Sequence, residues 1–228
     1  MINKMLLFAG FAAVLFAFVV SPVQADLIWP IPEFTPEAEE YKMNYLVLVN
    51  KENPMHDAPE TEPELVSVTN SLEADVNVET KTYAAYLTLK SALAEEDIFI
   101  DIDSAYRSEA EQQLLLEEFA EQYGEDYAKE YAAVPGYSEH HTGLALDLYL
   151  IIDGADVYLN EDLVQYPEIW TKIHAKLADH GFILRYPEGK EDITGYPFEP
   201  WHIRYIDDPA IAKEIMEKGL TLEEYLQK

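Results

Sequence analysis

The stretch PGYSEHHTGLALDL, residues 135–148, carries two adjacent histidines and an aspartate in a segment that otherwise predicts a turn followed by a buried strand. Residues 143–148 alternate in the manner of a strand with one apolar face. A buried aspartate in such a strand is costly unless a cation or hydrogen-bond donors lie beside it. A bound metal would remove that cost at Asp147. Alternatively, Asp147 accepts backbone amides or is exposed.

A third candidate ligand lies in the later stretch EPWHIRY, residues 199–205. Catalytic zinc typically takes three protein ligands with nitrogen or oxygen donors and keeps a fourth position for water. His140, Asp147 and His202 meet that count, whereas the HExxH helix of many zinc proteases is absent from the sequence. We therefore predict a zinc site, although these ligand types also accept other divalent ions.

Glu199 lies three residues before His202, with Pro200 between them. Strand alternation would place Glu199 and His202 on opposite faces, but a proline interrupts regular pairing and allows Glu199 to turn towards the same cavity. In that position Glu199 would be a general base, taking a proton from water activated by the metal and passing it to a leaving amine.

Arg107 directly precedes a predicted helix start, because Ser108 and Glu111 have the spacing of a capping box. The apolar pattern continues to Tyr123, and Gly124 is the expected stop. Arg107 would then project from a loop, where it could balance charge on an attacked carbonyl oxygen or hold a substrate carboxylate. The alternative is an ordinary surface ion pair.

Local patterns predict a mixed order of elements elsewhere in the chain. We expect strands near residues 45–49, 98–102, 182–186 and 201–206, helices at 81–95, 167–180 and 209–218, and a loop at 53–65. Strands interspersed with helices without a regular βαβ order predict an α+β fold with a small antiparallel sheet flanked by helices.

The N-terminal residues predict export from the cytoplasm. Lys4 precedes an apolar run that is shorter than the roughly 20 residues needed to span a membrane, and small residues follow it. We expect a signal peptide at residues 1–25, a Pro-rich acidic arm at 26–40 and a single catalytic domain at 41–228. The mature protein would be extracytoplasmic, either secreted or associated with the cell wall or membrane.

Charge and composition exclude several classes of function. The chain has 15 basic against 44 acidic residues, a net charge of −29, and no cysteine. Nucleic acids and anionic membranes both need a basic surface, so neither is an expected partner. Thiol chemistry and disulfides are excluded as well. No specific protein partner is implied, and we expect a monomer.

Four separated motifs carry a resemblance to a known family. SAYRS (104–108), PGYSEHHTGLALD (135–147), GFILRYPEGKEDITGY (181–196) and EPWHIRY (199–205) resemble, in order and spacing, the D-alanyl-D-alanine carboxypeptidases of the VanY type. These belong to the zinc peptidase group that also includes the lysostaphin-like enzymes and the hedgehog signalling domain. The resemblance covers the chain from about residue 45 to 226.

The resemblance implies a role for each matching residue. Within the family's motifs, the zinc ligands are His140, Asp147 and His202, the catalytic base is Glu199, the contact to substrate and transition state is Arg107, and the polar residues lining the substrate pocket are Ser138 and Gln112. Two positions depart from the pattern, since Ala105 stands where glycine is usual and His141 where glutamine is usual.

The implied activity is removal of the terminal D-Ala from peptidoglycan stem peptides that end in D-Ala-D-Ala. A D,D-dipeptidase or an L,D-peptidase of the same group is the alternative within the enzymes. A non-catalytic zinc-stabilised binding module is the alternative outside them, and the presence of Glu199 argues against it.

Overall fold

The computed structural model describes residues 43–57 and 62–227, which belong to one compact unit, Tyr41–Lys228. The predicted signal peptide and the predicted acidic arm both lie outside the described residues. Within the described part of the chain, no helix is long and apolar enough to cross a membrane.

The described residues form seven strands and eight α-helices. The strands are β1 (Leu65–Thr69), β2 (Asp75–Glu79), β3 (Phe99–Ser104), β4 (Ala145–Ile152), β5 (Ala155–Val157), β6 (Phe182–Leu184) and β7 (His202–Tyr205). The helices are α1 (Thr80–Ala94), α2 (Glu109–Tyr123), α3 (Glu125–Tyr131), α4 (Asn160–Leu163), α5 (Pro167–Leu177), α6 (Glu191–Thr194), α7 (Pro209–Lys218) and α8 (Leu222–Leu226). Short 3-10 turns lie at Met55–Asp57, Glu139–Thr142 and Ala178–His180.

Two antiparallel sheets organise these strands. Strands β1 and β2 form a hairpin, and the larger sheet has the order β3-β4-β7-β6, with β5 pairing with β4. Helices flank the sheets, which confirms the predicted α+β class with a small antiparallel sheet.

The main core lies on one face of the larger sheet. Alternate residues of the central strand β4, Leu146, Leu148 and Leu150, belong to a buried cluster that also contains Leu89 of α1 and Trp170 of α5. A smaller apolar cluster joins β6 to α7 and α8 through Ile183, Ile215 and Leu222. Because side chains alternate along a strand, Asp147 lies on the face of β4 opposite the main core.

Most predicted elements are present, and two differences are informative. The helix after Ser108 has the predicted capping box and ends at Gly124, and α7 has the predicted bounds. The predicted strand at residues 45–49 is wrong, because this partly buried segment pairs with no strand of the described residues. Its carbonyl groups at Tyr45 and Val47 instead accept hydrogen bonds from the Arg204 guanidinium. The hairpin of β1 and β2 was not predicted.

The register of the larger sheet brings distant residues together. On β4 and β7, Asp147 lies directly opposite His202, and on β3 Ser104 lies opposite Asp147 after a bulge. Opposed residues of an antiparallel pair share one face. The 3-10 turn that carries His140 enters β4 through Gly143, whose φ of 70° lies in the left-handed region.

Candidate active site

Three potential ligand atoms meet on the face of β4 and β7 that lies away from the main core. One atom each from His140, Asp147 and His202 lies within 4.8 Å of the others. The two imidazoles are buried, and Asp147 is partly buried. The structure therefore brings together the three side chains that the sequence predicted as a metal group.

The partners of His140 determine which ring nitrogen can bind a cation. His140 Nδ1 lies 2.6 Å from the carbonyl oxygen of Ala105. Because a carbonyl oxygen only accepts, Nδ1 carries the proton and donates it. His140 Nε2 then carries a free lone pair, and it lies 3.1 Å from Asp147 Oδ2.

His202 has the reverse arrangement. Its Nε2 lies 3.1 Å from Glu139 Oε2, and its Nδ1 lies 3.0 Å from Asp147 Oδ1. Asp147 Oδ1 is buried and yet accepts no hydrogen bond from the part of the chain that the structure describes. With the proton on Nε2, the lone pair of Nδ1 and the oxygen of Asp147 face each other, which is unfavourable without a positive charge between them.

Four atoms are placed to bind a metal ion: His140 Nε2, His202 Nδ1 and the two carboxylate oxygens of Asp147. Two imidazole nitrogens and one carboxylate converge, each imidazole is fixed through its other nitrogen, and one buried oxygen lacks a donor. This is the donor set of a catalytic zinc site with three protein ligands. His140, Asp147 and His202 are the residues that would hold the ion.

The charges of the site shift several pKa values. Burial would raise the pKa of Asp147, but the adjacent His140 and His202 hold it well below its ordinary value. Burial lowers the pKa of His140. Burial also acts to lower the pKa of His202, but the carboxylates of Asp147 and Glu139 outweigh it and raise that pKa to about 10. The site therefore favours positive charge at His202, and a bound cation would take the place of that proton.

Glu199 faces the same group. The backbone amide of His202 donates to the carbonyl of Glu199, so residues 199–202 form a turn that brings Glu199 Oε2 within 3.6 Å of His202 Nδ1. His174 Nε2 bonds the carbonyl of Pro200 at 2.9 Å and supports this turn from α5. Burial raises the pKa of Glu199 to about 7, a value suited to accepting and donating a proton near neutral pH.

Arg107 reaches the site from the loop before α2. Its Nη1 donates to Gln112 Oε1 at 3.0 Å, and its Nη2 donates to Ser104 Oγ at 2.7 Å. Both partners are neutral, and the guanidinium has further donors available for an anionic ligand. The backbone amide of Arg107 also donates to the carbonyl of His140 at 3.2 Å, which ties the loop to the metal group.

The other predicted pocket residues have distinct positions. Ser138 is buried at the wall of the cavity. Gln112 also lines the cavity, but its amide oxygen accepts from Arg107 and its amide nitrogen donates to the carbonyl of Ala133, so it orients Arg107. His141 bonds the carbonyl of Arg107 through Nδ1 and the amide of Gly136 through Nε2. Both nitrogens of His141 are thus used by the backbone.

The site opens into a cavity of about 590 Å³. One wall carries Phe119, Tyr123, Tyr127 and Tyr131, and another carries Tyr186, whose ring centroid lies 4.7 Å from that of His202. Asp103 also lines the cavity, and burial raises its pKa. Neither Tyr186 nor Glu139 was predicted from the sequence to belong to the site. The position of Glu139 beside the candidate ligand His140, in a motif expected to be buried, could have indicated it.

Comparisons with known proteins identify the family. A family model described as VanY, D-alanyl-D-alanine carboxypeptidase, matches residues 75–208. The chain belongs to the VanY family. The match includes the motifs of Arg107, His140, Asp147, Glu199 and His202, and it confirms the resemblance found in the sequence.

Two relatives show how the family match extends along the chain. The bifunctional D-Ala-D-Ala dipeptidase and carboxypeptidase VanXYC of Enterococcus gallinarum is 38% identical over 189 residues, covering 80% of this chain and 94% of the relative. The putative carboxypeptidase YodJ of Bacillus subtilis is 38% identical over 145 residues, which cover 63% of this chain but only 51% of the relative. This VanY-family chain therefore matches about half the length of YodJ.

Two solved structures share the fold of this VanY-family chain. A mutant of the vancomycin resistance D,D-pentapeptidase VanY, in complex with Zn(II), has a TM-score of 0.67 and 31% identity, covering 80% of this chain and 98% of the neighbour. The LD-carboxypeptidase LdcB has a TM-score of 0.70 and 37% identity, covering 81% of this chain and 86% of the neighbour.

Proposed function

We propose that this VanY-family chain is a zinc-dependent D,D-carboxypeptidase. Its substrates would be peptidoglycan stem peptides that end in D-Ala-D-Ala, from which it removes the terminal D-Ala. Family membership supports the reaction class, and the Zn(II) complex of the neighbouring VanY structure supports the choice of metal.

The observation that carries the proposal is the convergence of acceptor atoms between His140, Asp147 and His202. His140 Nε2 and His202 Nδ1 face the two oxygens of Asp147 at 3.1 and 3.0 Å, and one of these oxygens is buried without a donor. A divalent cation satisfies all of these atoms together. When bound there, zinc would supply Lewis acidity, which polarises a carbonyl group and lowers the pKa of a coordinated water.

Glu199 supplies the proton transfers of the proposed reaction. Its carboxylate lies beside the metal group, and its pKa of about 7 allows both protonation states near neutral pH. As a carboxylate it takes a proton from the attacking water, and as a carboxylic acid it gives that proton to the amine of the leaving D-Ala.

Arg107 supplies the fixed positive charge. Because Gln112 and Ser104 hold its guanidinium at the cavity wall, Arg107 can bind the terminal carboxylate of the substrate or the negative charge that develops on the scissile carbonyl oxygen. Ser138 lines the same cavity and could contact the substrate.

The direct test is incubation of the purified, zinc-loaded protein with a stem pentapeptide. We expect release of one D-Ala per peptide, measured by mass spectrometry. No release across the neutral pH range would contradict the proposal. Parallel assays with the D-Ala-D-Ala dipeptide and with a stem tetrapeptide would distinguish the dipeptidase and L,D-peptidase alternatives, for which VanXYC and LdcB are the matching relatives.

Glu199→Gln separates the enzyme from a zinc-stabilised binding module. The variant keeps the size of the side chain and removes the base, so we expect kcat to fall roughly 100- to 10,000-fold. Zinc content, measured by elemental analysis, should stay at about one ion per chain. Equal turnover by the variant and the native chain would reject Glu199 as the base.

We further propose that the enzyme acts outside the cytoplasm as a monomer, secreted or held at the cell wall or membrane. The apolar segment after Lys4 supports export. N-terminal sequencing of protein recovered from the producing cells, with cleavage expected after Ala25, and light scattering of the purified protein test these two points.

A further inference from the structure

A buried ionic cluster lies behind His202, on the side away from the metal group. It consists of Glu139, Arg185, Arg204 and Glu223, and the side chains of Glu139 and both arginines are fully buried. Two carboxylates and two guanidiniums balance each other formally. Buried charges of this kind are tolerated only when they are paired and fully hydrogen-bonded.

Within the cluster, the two oxygens of Glu139 have different partners. Oε1 accepts from Arg185 Nε at 2.6 Å and from Arg204 Nη1 at 2.7 Å. Oε2 lies 3.1 Å from His202 Nε2. The two guanidiniums therefore fix the orientation of the carboxylate and leave its second oxygen to the imidazole.

The arginines are themselves anchored on other elements. Arg185 makes a two-point contact with Glu223 of α8, at 2.9 and 2.7 Å, and Arg204 donates to the carbonyls of Tyr45, Val47 and Tyr205. Glu223 also accepts from Asn50. Neither arginine can turn away from Glu139 without losing these bonds, so the carboxylate is held rigidly.

From this juxtaposition we propose that Glu139 is a positioning residue that selects Nδ1 of His202 as the metal-binding atom. An ionised carboxylate only accepts, so it holds the imidazole proton on Nε2 and turns the lone pair of Nδ1 towards Asp147. The inference rests on the proposed metal site, and it assigns a role to a residue that would act on the metal only through His202.

Glu139→Gln should reverse this preference. The amide oxygen of the new side chain would turn towards the two guanidiniums, and the amide nitrogen would then point at His202 Nε2. An amide donor at Nε2 favours the proton on Nδ1, which is the atom that must bind the ion. We expect zinc affinity, measured by competition with a chromophoric chelator and without substrate, to fall roughly 10- to 100-fold.

Glu223→Gln is the matched control. It removes one negative charge from the same cluster, but Glu223 bonds Arg185 and Asn50 and does not contact His202. We expect the two variants to lose comparable stability in chemical denaturation, and only Glu139→Gln to lose zinc affinity. Equal loss of zinc affinity in both variants would overturn the proposal, because the effect would then come from the charge of the cluster.

A measurement on the native chain avoids any problem of folding in the variants. In the zinc-loaded protein labelled with ¹⁵N-histidine, NMR shifts should show a protonated Nε2 and a metal-bound Nδ1 for His202. Metal bound to Nε2 would overturn the inference while leaving the proposed function intact. Zinc binding through Nδ1 without release of D-Ala would support the role of Glu139 and overturn the proposed function. Failure to bind zinc would overturn both the role of Glu139 and the proposed function.

Discussion

At the scale of single residues, the proposed role of Arg107 requires its guanidinium to present two nitrogens in a fixed plane. Arg107→Lys keeps the positive charge but cannot hold Gln112, Ser104 and a substrate carboxylate together. Because a hydrogen bond to a charged group contributes about 1.5–3 kcal/mol, we expect kcat/KM for the stem pentapeptide to fall roughly 10- to 100-fold. Steady-state kinetics measures this.

Two further measurements on the Arg107→Lys protein separate a lost substrate contact from a loss of zinc or of stability. Zinc content should match that of the native chain, because Arg107 is not among the proposed ligands. The free energy of unfolding shows what the weakened bonds to Gln112 and Ser104 cost. A variant with full activity would mean that charge alone suffices, and the proposed two-point contact to substrate would be wrong.

Gly143 occupies a position where the backbone conformation and the close neighbours both require glycine. It joins the turn of His140 to β4 at a φ of 70°, and an added Cβ would lie 3.2 Å from the Cβ atoms of Glu79 and Pro63. Left-handed backbone costs a residue with a Cβ roughly 1–2 kcal/mol, and the close contacts add to that. We expect Gly143→Ala to lower the free energy of unfolding by more than this amount in chemical denaturation.

Gly154→Ala provides the control for Gly143→Ala. Gly154 has a φ of 80°, but an added Cβ would meet nothing within 4 Å. The Gly154→Ala variant should therefore lose only the free energy that the left-handed backbone costs, and its zinc affinity should be unchanged. An equal loss of stability in both variants would contradict the argument that Gly143 is needed for close packing against Glu79 and Pro63.

At the scale of elements, the start of α2 determines the position from which the Arg107 side chain extends into the cavity. Ser108 Oγ accepts from the amide of Glu111, and the Glu111 carboxylate accepts from the amide and hydroxyl of Ser108. We expect Ser108→Ala to lower the free energy of unfolding by about 1 kcal/mol. It should also raise KM for the pentapeptide, because Arg107 is adjacent to the lost cap.

The second capping box in the described residues is the comparison. Thr221 and Glu224 cap α8 in the same way, and Thr221→Val removes the cap while keeping the buried methyl group. A similar loss of stability is expected, with KM unchanged. If both variants raised KM equally, the effect on Arg107 would be general loosening of the fold and not the position of α2.

At the scale of the whole molecule, the buried ionic cluster makes stability depend on pH. Burial acts to raise the pKa of Glu223, but Arg185 outweighs it and the pKa lies below its ordinary value. The same is true of Glu139, where Arg185 and Arg204 oppose burial. A depressed carboxyl pKa stabilises the folded state at pH values above the unfolded pKa of about 4.3. This contribution is lost as the pH falls through the folded value.

Glu223→Gln tests this dependence. The variant should be less stable than the native chain at neutral pH. The difference should shrink as the pH falls below about 4, where the Glu223 carboxyl group of the unfolded chain takes up a proton while the folded chain, with its lowered pKa, still holds it ionised. Chemical denaturation at a series of pH values gives both curves. Parallel curves down to low pH would show that the charge of Glu223 contributes nothing specific.

The local elements of this protein were largely predictable from the sequence, because their signals lie within a few residues of one another. The capping box at Ser108, the glycine stops at Gly124 and Gly181 and the proline at the start of α5 all act over one or two helical turns. The sequence also showed residue types that bind metals at His140, Asp147 and His202, each within a short family motif.

Errors arose where long-range contacts override local pattern. Residues 45–49 have the composition of a buried strand, but the Arg204 guanidinium takes the carbonyls that a neighbouring strand would have used. The hairpin of β1 and β2 has strands that are mostly exposed or half-buried, so it lacks the apolar run that would have indicated it.

By itself, the sequence determined the fold class, the boundaries of most helices, the family and the identity of the candidate ligands. Only the tertiary structure decided that Asp147 lies opposite His202, that Nδ1 of His202 faces the metal position, and that Glu139 and two arginines lie behind it. The reason is that register and side-chain orientation depend on contacts between segments far apart in the chain, whereas propensity and capping depend on neighbours in sequence.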